Sequence, residues 1–247
     1  RREVLRLAIF LPSCRTVAAA FNALHGQRLT VGHDFVARLL RERADDVARL
    51  RREMKSRPPA APPVAQSWAL DLSLVKVAGR PYPVLGVLDL GSRLVLRLHV
   101  LAHKCTWTLL GHLCLAIAER GRPTALRTDN EAMFTRGLWR NALKAMGIRH
   151  HRTQVASPWQ NGCVERLWGS LKPVLHSMSL PGPLVLQRAL SEFACFYNHA
   201  RPHQGLAGLT PWQAWRGVTQ ADVRRHAGRG QWVQACEGRL MGYQLRC

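Results

Sequence analysis

The spacing of apolar positions divides the chain in two. Over residues 1–57 it follows a helical period. Residues 3–10 form a short amphipathic stretch. Ser13 stands where a helix cap belongs, ahead of Val17, Ala18, Phe21 and Leu24 at helical spacing. A polar break, His25-Gly26-Gln27-Arg28, separates this helix from the next. There Thr30 takes the cap position, Val31, Phe35, Val36, Leu39 and Leu40 turn inward, and His33, Asp34 and Arg38 stay outward. Two such helices predict a helix-turn-helix-like region, with a connection longer than the usual three or four residues. Residues 41–55 continue as a charged helix or connector. Residues 58–64, Pro-Pro-Ala-Ala-Pro-Pro-Val, exclude a helix and form an extended linker. Beyond it the period changes to two. Strands are predicted over residues 68–77, 83–89 and 93–101, the last two joined by Leu90-Gly91-Ser92. A helix over 106–119 stops at Gly121 and Pro123. A strand over 124–128, a helix over 133–146 and a strand over 148–151 follow. Helices close the series over 162–176, which Pro173 can kink or shorten, and 184–199. Strands in meander followed by helix, strand, helix, strand predict an α/β domain over residues 65–217, a mixed sheet flanked by helices. Residues 218–247 make a basic C-terminal tail.

Charge changes this picture. Lys and Arg total 36 against 15 acidic residues, a formal net charge of +21. Such an excess favours a polyanionic partner, nucleic acid above all. It gives the N-terminal helix pair a target: the second helix would enter the major groove of double-stranded DNA with His33 and Arg38 outward. A plain helical hairpin with a basic solvated face fits the same pattern. The tail, with Trp232 and Tyr243 among its arginines, either packs on the core or binds DNA. The most apolar stretch, residues 84–101, is broken by Asp89, Arg93 and Arg97, so no membrane span is expected. No apolar run near the start leads to a small-residue cleavage site. Seven scattered cysteines without a C-x-x-C pair point to reduced thiols, hence a cytoplasmic, nucleoid-associated protein. The His and Cys residues lack zinc-ligand spacing.

Acidic residues are sparse beyond the linker, and three occupy unusual places. Asp71 lies inside an apolar strand between Leu70 and Leu72. Asp129 follows the strand 124–128. Glu165 lies one turn into the helix after Ser157-Pro158-Trp159-Gln160-Asn161-Gly162. Ends of strands in α/β sheets are where sites are built. Phosphoryl transfer on DNA piles charge on phosphate oxygens, and two metal ions about 3.5–4 Å apart clamp the attacking and leaving oxygens. Hard ions such as magnesium take carboxylate oxygens. Three converging acids would meet that need. Asp89, beside the strand turn, reads as a turn acid, and His150, His151, His199 and His203 as turn or phosphate-facing histidines.

Thirty-five residues separate Asp129 from Glu165, and the flanks carry a pattern. Trp68-x-x-Asp71, Thr128-Asp129-Asn130-x-x-x-Phe134 and Ser157-Pro158-Trp159-Gln160-Asn161-Gly162-x-x-Glu165 occur in order. Lys172 follows seven positions after the glutamate, then Tyr197-Asn198-x-x-Arg201-Pro202-His203-x-x-Leu206 and Thr210-Pro211. Residues 64–217 thereby resemble the integrase catalytic core shared by retroviral integrases and bacterial insertion-sequence transposases, the DDE group of the ribonuclease-H-like fold. The resemblance implies a transposase that binds its element's ends and performs strand cleavage and strand transfer. It implies Mg2+ or Mn2+, two ions per site, held by Asp71, Asp129 and Glu165. Asn130 would orient the Asp129 loop and contact DNA. Asn161 would lie in a mobile loop against DNA. Lys172 shares a helix face with Glu165 and, like Arg166, either touches a phosphate or is solvated. A homo-oligomer on DNA is expected. A copy that only binds DNA, or a related nuclease, are the alternatives.

Overall fold

The computed structural model describes residues 1–11, 13–27, 29–56, 61–153, 162–225 and 230–245. They fall into two units, Arg1–Ala60 and Ala61–Cys247. Residues 58–60 of the proline-rich stretch lie outside the described residues.

The first unit is helical: α1 (Arg2–Phe10), α2 (Cys14–His25), α3 (His33–Glu42) and α4 (Ala44–Ser56). Ser13 caps α2 in a capping box, its hydroxyl accepting from the Thr16 amide at 3.2 Å. Val4, Ala8, Val17, Ala18, Phe21, Val36 and Leu39 form its core. The second cap falls elsewhere than expected. The Asn22 side chain bonds both the amide and the carbonyl of Val31, at 2.8 and 3.0 Å. That ties Val31 into the connection, so α3 starts from Gly32 rather than Thr30.

The second unit is a layered α/β structure. Strands β1 (Ser67–Val77), β2 (Arg80–Asp89) and β3 (Val95–Val100) lead into α5 (Thr106–Arg120) and β4 (Ala125–Thr128). Then come α6 (Ala132–Thr135), α7 (Gly137–Ala145), β5 (Arg149–Arg152), α8 (Gly162–His176) and α9 (Pro183–His199). The sheet order is β3-β2-β1-β4-β5. β1 pairs antiparallel with β2, and β2 with β3, whereas β1–β4 and β4–β5 are parallel. Alternation along β1 sorts its side chains. Trp68 and Leu70 face a core shared with Leu109 and Leu113 of α5 and Trp139 and Leu143 of α7. Ala69, Val75 and Val77 face the other core, with Leu167, Trp168 and Leu171 of α8 and Leu190 and Phe193 of α9. Asp71 shares this second face.

Two stretches differ from the sequence expectation. The helix over 133–146 is two, because Arg136 is extended (φ −67°, ψ 152°) and restarts the chain as α7. β3 starts at Val95 because Arg93 takes a left-handed turn conformation, φ 65°. α8 has the expected bounds, 162–176, with Pro173 inside it. After the short helices α10 (Pro211–Trp215) and α11 (Gln220–Arg225), the tail forms a hairpin of β6 (Gly230–Ala235) and β7 (Leu240–Leu245). It packs on α9: the Cys236 amide donates to Glu192 Oε2 at 2.9 Å, and Cys236 is fully buried. No helix among the described residues is long and apolar enough to cross a membrane.

Candidate active site

The parallel pairing of β1 with β4 builds the site. Ser67 stands opposite Ala125, Trp68 opposite Leu126 and Ala69 opposite Arg127. Carried two residues further, this register sets Asp129 level with Asp71, about 4.8 Å being the usual strand spacing. Asp71 feels the charge of Asp129. Burial is the main force raising the Asp71 pKa above its ordinary value; hydrogen bonds from Trp168 and the Leu72 amide oppose it, and the charges of Asp129 and Glu131 add to it. Asp129 is also raised, again first by burial.

Each carboxylate is held. Trp168, on α8, donates its indole N–H to Asp71 Oδ2 at 2.8 Å. The indole reaches the sheet because Asp71 pairs with Gly86 on β2. A Cβ at Gly86 would stand 2.9 Å from Trp168 Cζ2 and 3.1 Å from Cη2, closer than packed atoms approach. Asp129 Oδ1 accepts from the Glu131 amide at 3.1 Å. Glu131 itself is neutralised by Lys104, 2.7 Å away. The Asn130 side chain donates to the Thr153 carbonyl at 2.6 Å, and the Thr153 hydroxyl donates to the Thr128 carbonyl at 2.8 Å. These bonds tie the loop after β4 to the end of β5.

The other sequence candidates fall differently. Glu165 is exposed on the first turn of α8, three residues before Trp168. Among the described residues no three Asp, Glu, His or Cys side chains assemble as a metal-binding group. Arg166 is exposed and donates to the Gly162 carbonyl at 2.9 Å. Lys172 is half-buried two turns beyond Glu165. Asn161, with the rest of Ser157–Asn161, lies outside the described residues. His33 and Arg38 are exposed on α3, in the first unit. Asp89 is fully buried and accepts from Ser92 N, Ser92 Oγ and Ala65 N at 2.7, 2.7 and 3.0 Å, the bonding of a turn acid.

Trp168 and Lys104 carry no mark in the sequence that would have singled them out. Gly86 does: a glycine inside an apolar strand signals close approach by another group.

Two half-buried carboxylates, side by side and costly to ionise there, offer the hard oxygen donors that a divalent cation such as magnesium takes. Their fit to such an ion rests on this pair. A mixed sheet ordered β3-β2-β1-β4-β5, helices on both faces and paired acids on its parallel strands define a ribonuclease-H-like α/β domain.

Comparison with known proteins gives that domain its family. Two family profiles, both described as integrase core domain, match residues 62–158 and 146–211. They run without a break over 62–211, and this stretch is an integrase core domain. No curated protein sequence matches the chain. Solved structures do. One is a chain of the simian T-cell lymphotropic virus intasome in complex with PP2A regulatory subunit B56 gamma. It superposes with a TM-score of 0.55 and 24% identity over 64% of this chain, which spans only 59% of that one. The HTLV-2 integrase catalytic core domain in complex with magnesium matches in its dimeric form with a TM-score of 0.52 and 20% identity, over 63% of this chain and 99% of that. Its trimeric form gives 0.53 and 21% over the same shares. At these identities the likeness is one of fold.

Proposed function

We propose that the chain is a DDE-type transposase of a bacterial insertion sequence, cleaving and joining DNA strands at the ends of its element. The observation that carries this is the Asp71–Asp129 pair on adjacent parallel strands of an integrase core. In this reading Asp71, Asp129 and Glu165 hold two Mg2+ or Mn2+ ions, which supply a nucleophilic oxygen and offset charge on the reacting phosphate. The chain's own residues do the rest. Trp168 and the Leu72 amide orient the Asp71 carboxylate. Asn130 and Thr153 keep the Asp129 loop against β5. Glu165 completes the set from α8, the helix whose Trp168 already reaches Asp71. Arg166, Lys172 and Asn161 contact DNA near the cut, and α3 reads element-end DNA through His33 and Arg38. Residues 1–57 thus bind DNA, 58–64 link, and 65–217 catalyse. The net charge of +21 suits double-stranded DNA as substrate, and joining two ends calls for a second copy on it.

The test incubates the purified chain with element-end DNA and magnesium and follows strand-transfer products. Asp71→Asn, Asp129→Asn and Glu165→Gln should each lower the rate more than about 100-fold, beyond what outer-shell changes cost at metal sites. Activity surviving these changes sinks the mechanism. One observation favours a second reading, a copy that only binds DNA: among the described residues no three Asp, Glu, His or Cys side chains form a metal-holding group. DNA binding without strand transfer by the unaltered chain would select it.

A further inference from the structure

At the β5 edge of the sheet, on the face covered by α7, lies a cavity of about 370 Å³. Its floor is apolar: Phe134, Leu143 and Ile148, all buried. Its rim is cationic: Arg140 and Lys144 on α7, and Arg152 at the end of β5, all exposed. No lining residue among the described residues is acidic. None of the three cations forms a salt bridge among the described residues. His150 forms one wall, and burial, then Arg152 and His151, lower its pKa, which keeps it neutral.

We propose that this cavity binds the phosphodiester backbone of the DNA strand that leads to the reacting phosphate. Arg140 and Lys144 stand four residues apart on one helix face, about 6 Å along its axis. Arg152, at the end of β5, lines the same cavity. Two charges one turn apart on α7 with a third on a different element suit successive phosphates better than a single small anion, and the apolar floor takes a sugar face. The walls are braced by neighbouring contacts. Phe134 stacks edge-on against the buried Trp139 at 5.1 Å. His150 Nε2 and Thr128 Oγ1 lie 2.9 Å apart in a hydrogen bond, one residue before Asp129. Phe134 sits in the short helix that follows Asp129-Asn130-Glu131. One loop therefore carries both a proposed metal ligand and the floor of the groove, which fixes a strand lying there relative to Asp129.

The inference rests on DNA as the substrate but not on catalysis. Its test measures duplex binding by fluorescence anisotropy across a salt series, without divalent ions, for the full chain. Arg140→Gln, Lys144→Gln and Arg152→Gln are compared with Arg80→Gln, an exposed cation at the β1–β2 turn. Each lost phosphate contact should flatten the slope of log affinity against log salt by about 0.9, and the triple variant by two to three times that. Arg80→Gln should leave the slope in place. Wild-type slopes in the cavity variants, or an equal change in Arg80→Gln, overturn the groove. A flattened slope in a chain that joins no strands keeps the groove and removes the transposase reading.

Discussion

Burial raises the pKa of both Asp71 and Asp129, and the sign of that shift has a measurable result. A carboxyl whose folded pKa lies above its unfolded one stabilises the fold fully below the unfolded value. That contribution is lost as pH rises through the folded pKa. At neutral pH the metal-free protein thus carries two acids in a place that disfavours their charge. Asp71→Asn and Asp129→Asn should each raise the melting temperature at pH 7 in EDTA, about 2–4 °C for each kcal/mol regained. The gain should vanish near pH 4, and magnesium should stabilise only the unsubstituted chain. Differential scanning fluorimetry reads all three, and a destabilised amide variant at pH 7 would contradict the electrostatic account. Both aspartates were legible in the sequence because a charge inside an apolar strand, and an acid just past one, break the local pattern. Trp168 was not, because the carboxylate it meets is 97 residues away in sequence.

At the scale of elements, one helix docks on one strand pair through a single polar bond and a missing side chain. Trp168 is 6% exposed, so its ring packs as core while its N–H serves Asp71. Trp168→Phe keeps most of the packing and removes the donor. Divalent binding, followed by calorimetry with Mn2+, should weaken about 10-fold, as for lost outer-shell partners of metal ligands. Gly86→Ala should do the same by pushing the ring outward, and should also cost about 1–3 kcal/mol of stability through overpacking. Unchanged Mn2+ affinity in both variants would leave the indole a packing residue only. The strands around this docking point were readable from alternation. The hairpin of β6 and β7 was not: its exposed and half-buried positions leave no apolar face to read, and its anchor is the buried Cys236 in the turn between its strands. The break between α6 and α7 was equally hidden, since it turns on the backbone of Arg136 within a stretch of helical period.

For the molecule as a whole, histidines set the response to acid. His203 is pushed down to about 4 by burial first, then by Arg201, Arg93 and Arg166. His99, His112, His150 and His199 are lowered too, each chiefly by burial. A lowered histidine stabilises the fold fully above its unfolded pKa and loses that contribution as pH falls through the folded one. The raised aspartates work in the opposite direction, but they are fewer. The urea midpoint should therefore fall steadily between about pH 6.5 and 4, the window bounded by the ordinary histidine value and that of His203. His203→Gln should blunt the fall, and an acid limb unaffected by it would move the cause elsewhere. Nothing in the sequence warned of this, because the shift depends on contacts such as the Tyr197 ring, 4.7 Å away, and on the charges of Arg201, Arg93 and Arg166, brought in by the fold.

The register of β1 against β4 carries one more consequence, a matter of parity. Asp71 looks toward α8 only because it is an even number of residues from Ala69, Val75 and Val77. Inserting one residue upstream of it in β1 would swap the faces and turn the carboxylate into the Leu109–Trp139 core. Inserting two would restore the face but move Asp71 out of line with Asp129 by one pleat. Length changes in this family of strands are thus barred upstream of the acid by two separate conditions, whereas the β1–β2 turn at Ala78 and Gly79, beyond it, is bound by neither.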